Sequence, residues 1–324
     1  MMEPRFAKTS MAIFFLAVAA ICQAASCLAP ERALAEDGLG SIAGSRLASG
    51  KDGSRNRFLH ALPQRIVSLA PSVTELLFAL DCGHLMAGRS TYSSTPQEAM
   101  RLPDVGPYNR PSLESIIALR PDLCIALSDG TPEPLLRQLR SLGIEVIELT
   151  ISSFDDLEAS IITLGHALHR EEKAKLEIEN MRNRLETLHS RIVSLGASGM
   201  SVLFQLQENP LIAAGPSSFA GQLIEKAGAV NAAGNNSMPY PILGMENIHF
   251  MSPDVIIIAG MGNAEDDKRS ASSWKRWKTI PAVRKGRVYV VDSDLFTRPS
   301  LRAVDALEEL IRILYADRQE ACTK

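Results

Sequence analysis

Apolar residues recur at helical spacing between Glu171 and Leu195, and the rest of the chain is arranged around this stretch. Their steps alternate between four and three, and charged residues fill the opposite face. A helix of about 20 to 25 residues would be roughly 30 to 37 Å long. A segment with alternating strand and helix patterns lies on each side, so the sequence favours a stiff linker helix between two lobes over an ordinary surface helix or a short coiled coil. The predicted buried stripe is Ala174, Ile178, Met181, Leu185, Leu188, Ile192 and Leu195.

The segment before the linker helix alternates short apolar runs with amphipathic stretches. Residues 65–70, 122–127 and 144–149 predict buried strands, and helices are predicted between them. Ser72 and Glu75 have the spacing of a capping box at the start of the first helix. Gly143 has the position of a residue that ends a helix. The pattern favours a mainly parallel sheet covered on both faces.

The segment after the linker helix repeats this logic. Strands are predicted at 200–206, 254–259 and 287–291, with a final helix over 300–315. Residues 260–273 are polar and predict a mobile loop. The predicted fold class is α/β, with two lobes of mainly parallel sheet, a long rigid helix joining them, and a ligand cleft between them. The predicted segments are an N-terminal lobe at 61–152, linker helices at 153–197, a C-terminal lobe at 198–318 and a tail at 319–324.

The first residues have the pattern of a secretory signal peptide. Arg5 and Lys8 precede an apolar run over residues 11–22 that is short for a membrane span. Cleavage after Ala35 is favoured, and a weaker lipobox that ends at Cys27 leaves lipid anchoring open as an alternative. Residues 1–35 are therefore predicted as the signal peptide, residues 36–60 as a disordered lead-in, and the periplasm as the location.

Composition narrows the class of protein. The net charge of -3 and the lack of a basic stripe argue against nucleic-acid binding. Cys82 and Cys124 lie in the first lobe, where a disulfide and two buried thiols are both open interpretations. His166 and His169 lie three residues apart, but no third ligand is placed to complete a metal site, so neither a metal nor a cofactor is predicted.

One arrangement occurs once in each predicted lobe. Glu114 and Glu246 each lie near a helix start, and each precedes a Pro-Asp pair by seven residues and then a β run. A glutamate in a first helical turn is favoured by the helix dipole in any case. Recurrence of the whole arrangement indicates that the two lobes correspond to each other.

These motifs resemble the helical-backbone class of periplasmic substrate-binding proteins of ABC importers, and most closely its cobalamin-binding subfamily. The resemblance covers residues 65 to 315 and is strongest in four motifs. The four motifs are Ser-Leu-Ala-Pro-Ser-Val-Thr-Glu at 68–75, Leu-Glu-Ser-Ile-Ile-Ala-Leu-Arg-Pro-Asp at 113–122, Leu-Gly-Ile at 142–144 and Ile-Pro-Ala-Val-Arg-Lys-Gly-Arg-Val-Tyr at 280–289. The chain departs from the subfamily at some positions, because some of its common tryptophans are tyrosines here and Leu127 stands where an aromatic residue is frequent.

The resemblance implies where a ligand and a transporter would bind. Ligand-facing residues of the subfamily match Tyr92, Tyr108 and Tyr240, and the similar stretch 292–299 adds Phe296 and Arg298. The class docks one surface glutamate per lobe onto the dimer of importer membrane subunits, and Glu114 and Glu246 match those positions. The aromatic residues lie in Pro- and Gly-rich loops, and ligands of open α/β sheets bind beyond the carboxyl ends of strands, which agrees with a shared site.

The leading hypothesis is a monomeric, non-enzymatic receptor that delivers cobalamin or a related corrinoid to an ABC importer. A ferric siderophore or haem receptor of the same class is the alternative, with Arg298 and Arg302 as candidate anion-binding residues. A periplasmic hydrolase is less favoured, because no nucleophile elbow, zinc-protease motif or acid–base pair is present. A structural or adhesive role has no sequence repeats to support it.

Overall fold

The computed structural model describes residues 62–196, 199–234, 238–260 and 264–316. The predicted signal peptide, the lead-in at 36–60, Cys27 and the tail at 319–324 lie outside these residues. Within the described residues, no helix is long and apolar enough to cross a membrane.

The first lobe is a four-stranded parallel sheet in the order β2-β1-β3-β4. The side chains of β3 alternate between its two faces, and both faces are covered, because Ile125 and Leu127 belong to one apolar cluster while Cys124 and Ala126 belong to another. The elements are β1 Ile66–Ser68, α1 Pro71–Ala79, β2 Met86–Arg89, α2 Leu113–Ala118, β3 Leu123–Leu127, α3 Glu133–Ser141 and β4 Glu145–Leu149.

Two helices follow, α4 Phe154–Ala167 and α5 Glu171–Ser194, and α5 is the predicted linker helix. The break between them is at His169, whose φ of 51° is left-handed. Five of the seven predicted stripe residues are buried, and Leu185 and Leu195 are partly buried against the same core. This core contains side chains of α5 and of both sheets, so the linker helix is part of one continuous apolar interior.

Ion pairs on either side of α5 join it to α4 and to the second lobe. Arg182 pairs with Glu158 on α4. Arg184 Nη2 lies 2.7 Å from Asp305 Oδ1 on the last helix of the second lobe. These exposed pairs orient the helix, while the buried stripe supplies the apolar contact.

The second lobe is a mixed sheet in the order β6-β5-β8-β9, with β7 also paired to β5. Only the β5–β6 pair among the described strands is antiparallel. The elements are β5 Ser201–Gln207, β6 Ile212–Ala213, α6 Phe219–Lys226, β7 Val230–Asn231, α7 Met245–Met251, β8 Val255–Gly260, α8 Ala264–Ser273, α9 Pro281–Arg284, β9 Val288–Asp292, α10 Ser293–Thr297 and α11 Ala303–Leu314. The α/β class with two lobes of mainly parallel sheet is confirmed, while the predicted domain boundaries stay predictions.

Three local predictions are corrected. The capping box at Ser72 is wrong, because α1 begins at Pro71 after Ala70 and no side chain caps it. The predicted loop at 260–273 contains helix α8, whose first turn carries Glu265, Asp266 and Asp267, as the helix dipole favours. The last helix begins at Ala303 instead of residue 300.

Cys82 and Cys124 are buried free thiols, so the open question of their pairing is answered in favour of two thiols. Burial raises the pKa of the Cys124 thiol to about 12. Both therefore act as small apolar residues of the first lobe.

Candidate ligand-binding site

Tyr92 lies in the loop that follows the carboxyl end of β2. Its side chain is 39% exposed, and its φ of 71° is in the left-handed region, which a non-glycine residue seldom adopts. Thr91 holds the loop in place, since its amide donates to the Gly106 carbonyl at 2.9 Å and its hydroxyl donates to Asp104 at 2.7 Å. The loop therefore presents an exposed ring on a fixed backbone.

A buried set of hydroxyl groups also holds the Tyr92 loop against β1 and α1. Thr74 Oγ1 of α1 lies 2.8 Å from Ser68 Oγ and 3.0 Å from Ser93 Oγ, and Ser93 Oγ lies 3.0 Å from Ser90 Oγ. These hydrogen bonds join β1, α1 and the Tyr92 loop. Sequence reasoning missed this set, because single Ser and Thr residues give no signal of a shared network.

Tyr108 lies in the Pro- and Gly-rich loop before α2 and is largely buried. Its ring packs onto Gly130, in the loop after β3, where a Cβ atom would overlap the ring carbons. Burial raises the pKa of the Tyr108 phenol, the nearby charges of Asp129 and Tyr240 raise it further, and Arg298 opposes them. The phenol therefore stays protonated at neutral pH. Charged and polar groups of both lobes therefore contribute to the electrostatic environment of Tyr108.

Tyr240 belongs to a loop that folds back onto β6 of the second lobe. The Gly215 amide donates to the Pro239 carbonyl at 2.8 Å, and the Ala213 amide donates to the Pro241 carbonyl at 3.1 Å. A Cβ atom at Gly215 would meet this loop, so glycine permits the close approach. Tyr240 is half-buried against the main core, on which Tyr108 also packs, and it contributes to the raised pKa of the Tyr108 phenol.

Phe296 and Arg298 follow β9 but occupy different surroundings. Phe296 is fully buried in the core, with its ring centroid 5.9 Å from that of Phe204, so it has no exposed surface for a ligand. The Arg298 side chain is 12% exposed, and its Nη2 lies 2.5 Å from Asp294 Oδ1. The charge of Arg298 also lowers the pKa of the Tyr108 phenol, against the effect of burial.

A cavity of about 550 Å³ lies between the lobes next to α1. Its polar lining includes the buried carboxylate of Glu75 and the guanidinium of Arg302, whose Nη1 lies 3.5 Å from Glu75 Oε1. The sequence assigned Glu75 to a helix cap, so its position at the lobe junction was not predicted. No sequence signal connects residues this far apart along the chain.

Glu114 and Glu246 occupy corresponding places on the surface of the two lobes. Both are exposed in the first turn of a short helix, and Glu114 accepts a hydrogen bond from Ser112 Oγ at 3.2 Å. An exposed apolar residue follows each within one turn, Ile117 at 40% and Phe250 at 93% exposure. The recurrence seen in the sequence therefore extends to the surface around each glutamate.

Comparison with known proteins agrees with this architecture. A profile of the family described as Periplasmic binding protein matches residues 66–295. The vitamin B12-binding protein of Vibrio cholerae is 28% identical over 252 residues, which cover 78% of this chain and 89% of that protein. The vitamin B12-binding protein of Salmonella paratyphi A is 30% identical over 257 residues, covering 79% and 92%.

Solved structures show the same fold. The crystal structure of the periplasmic vitamin B12 binding protein BtuF of Vibrio cholerae superposes with a TM-score of 0.70 at 28% identity, covering 79% of this chain and 98% of that one. A periplasmic heme binding protein from Pseudomonas aeruginosa gives a TM-score of 0.72 at 27% identity, covering 79% and 94%. Since the family profile spans most of both lobes, the chain belongs to the periplasmic binding protein family.

Proposed function

We propose that this protein is a receptor that binds cobalamin or a related corrinoid and delivers it to an ABC importer. The observation that carries the proposal is that Tyr108 and Tyr240, one from each lobe, both pack against the same apolar core, within a fold shared with vitamin B12-binding proteins. The binding role is non-enzymatic, the receptor acts as a monomer, and it works in the periplasm. The signal peptide that would take it there lies outside the described residues.

The chemistry of the tyrosines suits a large ligand with amide side chains. Each ring can bury apolar surface of a flat macrocycle, and each phenol can exchange hydrogen bonds with amide groups. Tyr92 adds an exposed ring from a third loop. Phe296 acts indirectly in this proposal, by filling the space behind the second-lobe loops.

A ferric siderophore or haem receptor is the second candidate, supported by the haem-binding relative and by the two arginines near the lobe junction. Arg298 and Arg302 already have carboxylate partners, because Asp294 lies against the first and Glu75 lies near both. An anionic ligand would have to compete with those carboxylates, whereas a corrinoid need not. This comparison favours the corrinoid.

The absorbance spectrum of protein purified from its native host separates the two candidates. Corrinoids, haem and ferric chelates absorb at different wavelengths, so the spectrum identifies the class of the bound compound. We expect corrinoid bands that disappear on denaturation and dialysis. A haem Soret band or a ferric chelate spectrum would favour the second candidate.

We further propose that Glu114 and Glu246 are the two points at which the receptor docks onto the membrane subunits of the importer. Each is an exposed carboxylate, and a carboxylate can accept a bidentate pair from an arginine. Ile117 and Phe250 offer an apolar contact beside each carboxylate. Two equivalent patches on two lobes joined by a rigid helix suit a two-fold symmetric partner.

A further inference from the structure

Glu75 carries a carboxylate that is buried at the boundary between the lobes. Its side chain is 6% exposed, although it belongs to α1, which packs in the first lobe. A buried carboxylate is stable only where hydrogen-bond donors or cations surround it. The positions of those partners therefore show what Glu75 does.

The partners of Glu75 come from the second lobe. Ser300 Oγ donates to Glu75 Oε2 at 2.5 Å. Arg302 Nη1 and Arg298 Nη1 lie 3.5 Å and 3.8 Å from Glu75 Oε1. Arg302 also reaches Thr95 Oγ1 at 3.4 Å, in the loop that carries Tyr92. One residue of α1 therefore contacts three residues of the loop between α10 and α11, across 225 positions of sequence.

Arg298 connects this contact to the ligand site. Its charge acts on the Tyr108 phenol, and its Nη1 atom is buried without a hydrogen-bond partner among the described residues. Glu75 Oε1 is likewise buried without one, so attraction between the charges links the two atoms at 3.8 Å. If Glu75 no longer held the loop, the guanidinium of Arg298, whose charge acts on Tyr108, would therefore move.

We propose that Glu75 is a positioning residue, which fastens the loop of Ser300 and Arg302 to α1 and thereby sets the spacing of the lobes and the place of Arg298 at the ligand site. In this proposal the tyrosines and Arg298 contact the ligand, and Glu75 does not. The effect on ligand affinity rests on the proposed function, whereas the fastening of the lobes does not.

Amide hydrogen exchange of the ligand-free protein tests the fastening. Glu75→Ala leaves Ser300 Oγ without its acceptor and two guanidinium groups without their nearby carboxylate, so we expect exchange at least about tenfold faster in α1 and at Arg302 and Ala303, whose amides bond to Ser300. Glu75→Gln keeps an acceptor for Ser300 and should restore exchange to within about twofold of wild type.

Glu98→Ala is the matched control, because Glu98 is an exposed carboxylate on the rim of the same cavity. It should leave exchange unchanged in both segments. Unchanged exchange in Glu75→Ala, faster exchange spread evenly over the whole chain, or an equal response in Glu98→Ala would each overturn the proposal. So would a Glu75→Gln variant that behaves like Glu75→Ala.

Calorimetric titration with cyanocobalamin tests the second part. We expect affinity to fall about tenfold in Glu75→Ala and by less in Glu75→Gln, which keeps the acceptor for Ser300 but loses the charge that attracts Arg298, with Glu98→Ala like wild type. Unaltered affinity in Glu75→Ala would refute the link to the ligand site. If the wild type itself binds no cyanocobalamin, the proposed function fails, and the exchange experiment still decides whether Glu75 fastens the lobes.

Discussion

In the proposed receptor, ligand binding should depend most on Tyr108 and Tyr240, because they come from different lobes and both pack against the same apolar core. Tyr108 is held by Gly130, and Tyr240 by the backbone contacts of its loop with Gly215. The positions of both rings therefore depend on close contacts at glycines, which have no side chain. A tyrosine ring held in this way supplies contact area for a ligand at little cost in side-chain entropy.

Replacement of either ring by a methyl group should weaken cobalamin binding. We expect Tyr108→Ala and Tyr240→Ala each to lose roughly 1 to 3 kcal/mol, because most of the apolar ring contact disappears. Titration calorimetry measures the loss directly. Tyr108→Phe and Tyr240→Phe serve as controls for the hydroxyl groups, and alanine variants that bind as tightly as wild type would show that the rings do not line the site.

The ionisation of Glu75 should make stability depend on pH. Burial raises the pKa of Glu75 above its ordinary 4.5, against the opposing effects of Ser300, Arg302 and Arg298, with Asp294 raising it further. Its contribution to the free energy of unfolding is therefore fully present below about pH 4.5 and declines as pH rises through the raised pKa. Glu75→Gln cannot ionise, so its stability relative to wild type should increase from pH 4 to pH 7.

Urea unfolding of both proteins at several pH values provides the measurement. Since the other titrating groups are shared, their contributions cancel in the difference between the two proteins. A difference that stays constant with pH, or that changes in favour of wild type as pH rises, would contradict a raised pKa at Glu75.

At the scale of elements, the linker helix is the clearest case in which the sequence alone predicts both the element and its buried face. Its apolar stripe has one period and one burial face, and both lobes pack on that face. We expect Met181→Ala to lower the free energy of unfolding by about 2 to 5 kcal/mol, because it opens a cavity in the core. Leu176→Ala, on the exposed side of the same helix, is the control and should cost far less.

Urea titration of these two variants measures their free energies of unfolding and shows whether α5 is stabilised by its buried face. Equal losses in Met181→Ala and Leu176→Ala would show that α5 is stabilised along its whole surface and not by one face.

Elements whose pattern is local were predicted correctly, and contacts between distant residues were not. The buried strands and the glycine end of α3 follow from apolar runs and from Gly143, whose φ is 80°. Helix α8 was missed because its sequence is nearly all polar, and its position depends on packing near the buried Trp274. Ser72 and Glu75 match a capping box in sequence, yet Ser300 uses the carboxylate of Glu75 in the fold.

The same division applies to the site. The three tyrosines were predicted from their Pro- and Gly-rich loops and from the resemblance to a family, and their role in binding stays a prediction. Gly130, Asp129 and Ser300 were not found, because each becomes significant only through a neighbour supplied by the fold.

At the scale of the whole molecule, each lobe carries an exposed glutamate with an exposed apolar residue beside it, which we propose as the docking points. Reversing the charge of both Glu114 and Glu246 to arginine should abolish ligand-dependent stimulation of the importer ATPase, because arginine would face arginine across each contact. Affinity for the ligand in solution should not change, since both residues lie on the outer surface. The measurement is ATPase activity of the reconstituted importer together with calorimetry of the receptor alone.

Reversal of Glu133 and Glu148, two other acidic residues of the first lobe near Arg140, is a control for net charge. Normal ATPase stimulation by the Glu114→Arg, Glu246→Arg protein would remove the docking role. Loss of ligand binding in that protein would instead point to a structural role for the two glutamates.

The most direct test of a corrinoid receptor is calorimetric titration of the purified wild-type protein with cyanocobalamin and, separately, with haem. We expect saturable binding of one cyanocobalamin per chain, with haem bound more weakly. Tight binding of haem or of a ferric siderophore, with no heat of binding from cyanocobalamin, would contradict the assignment of the ligand and leave only the family.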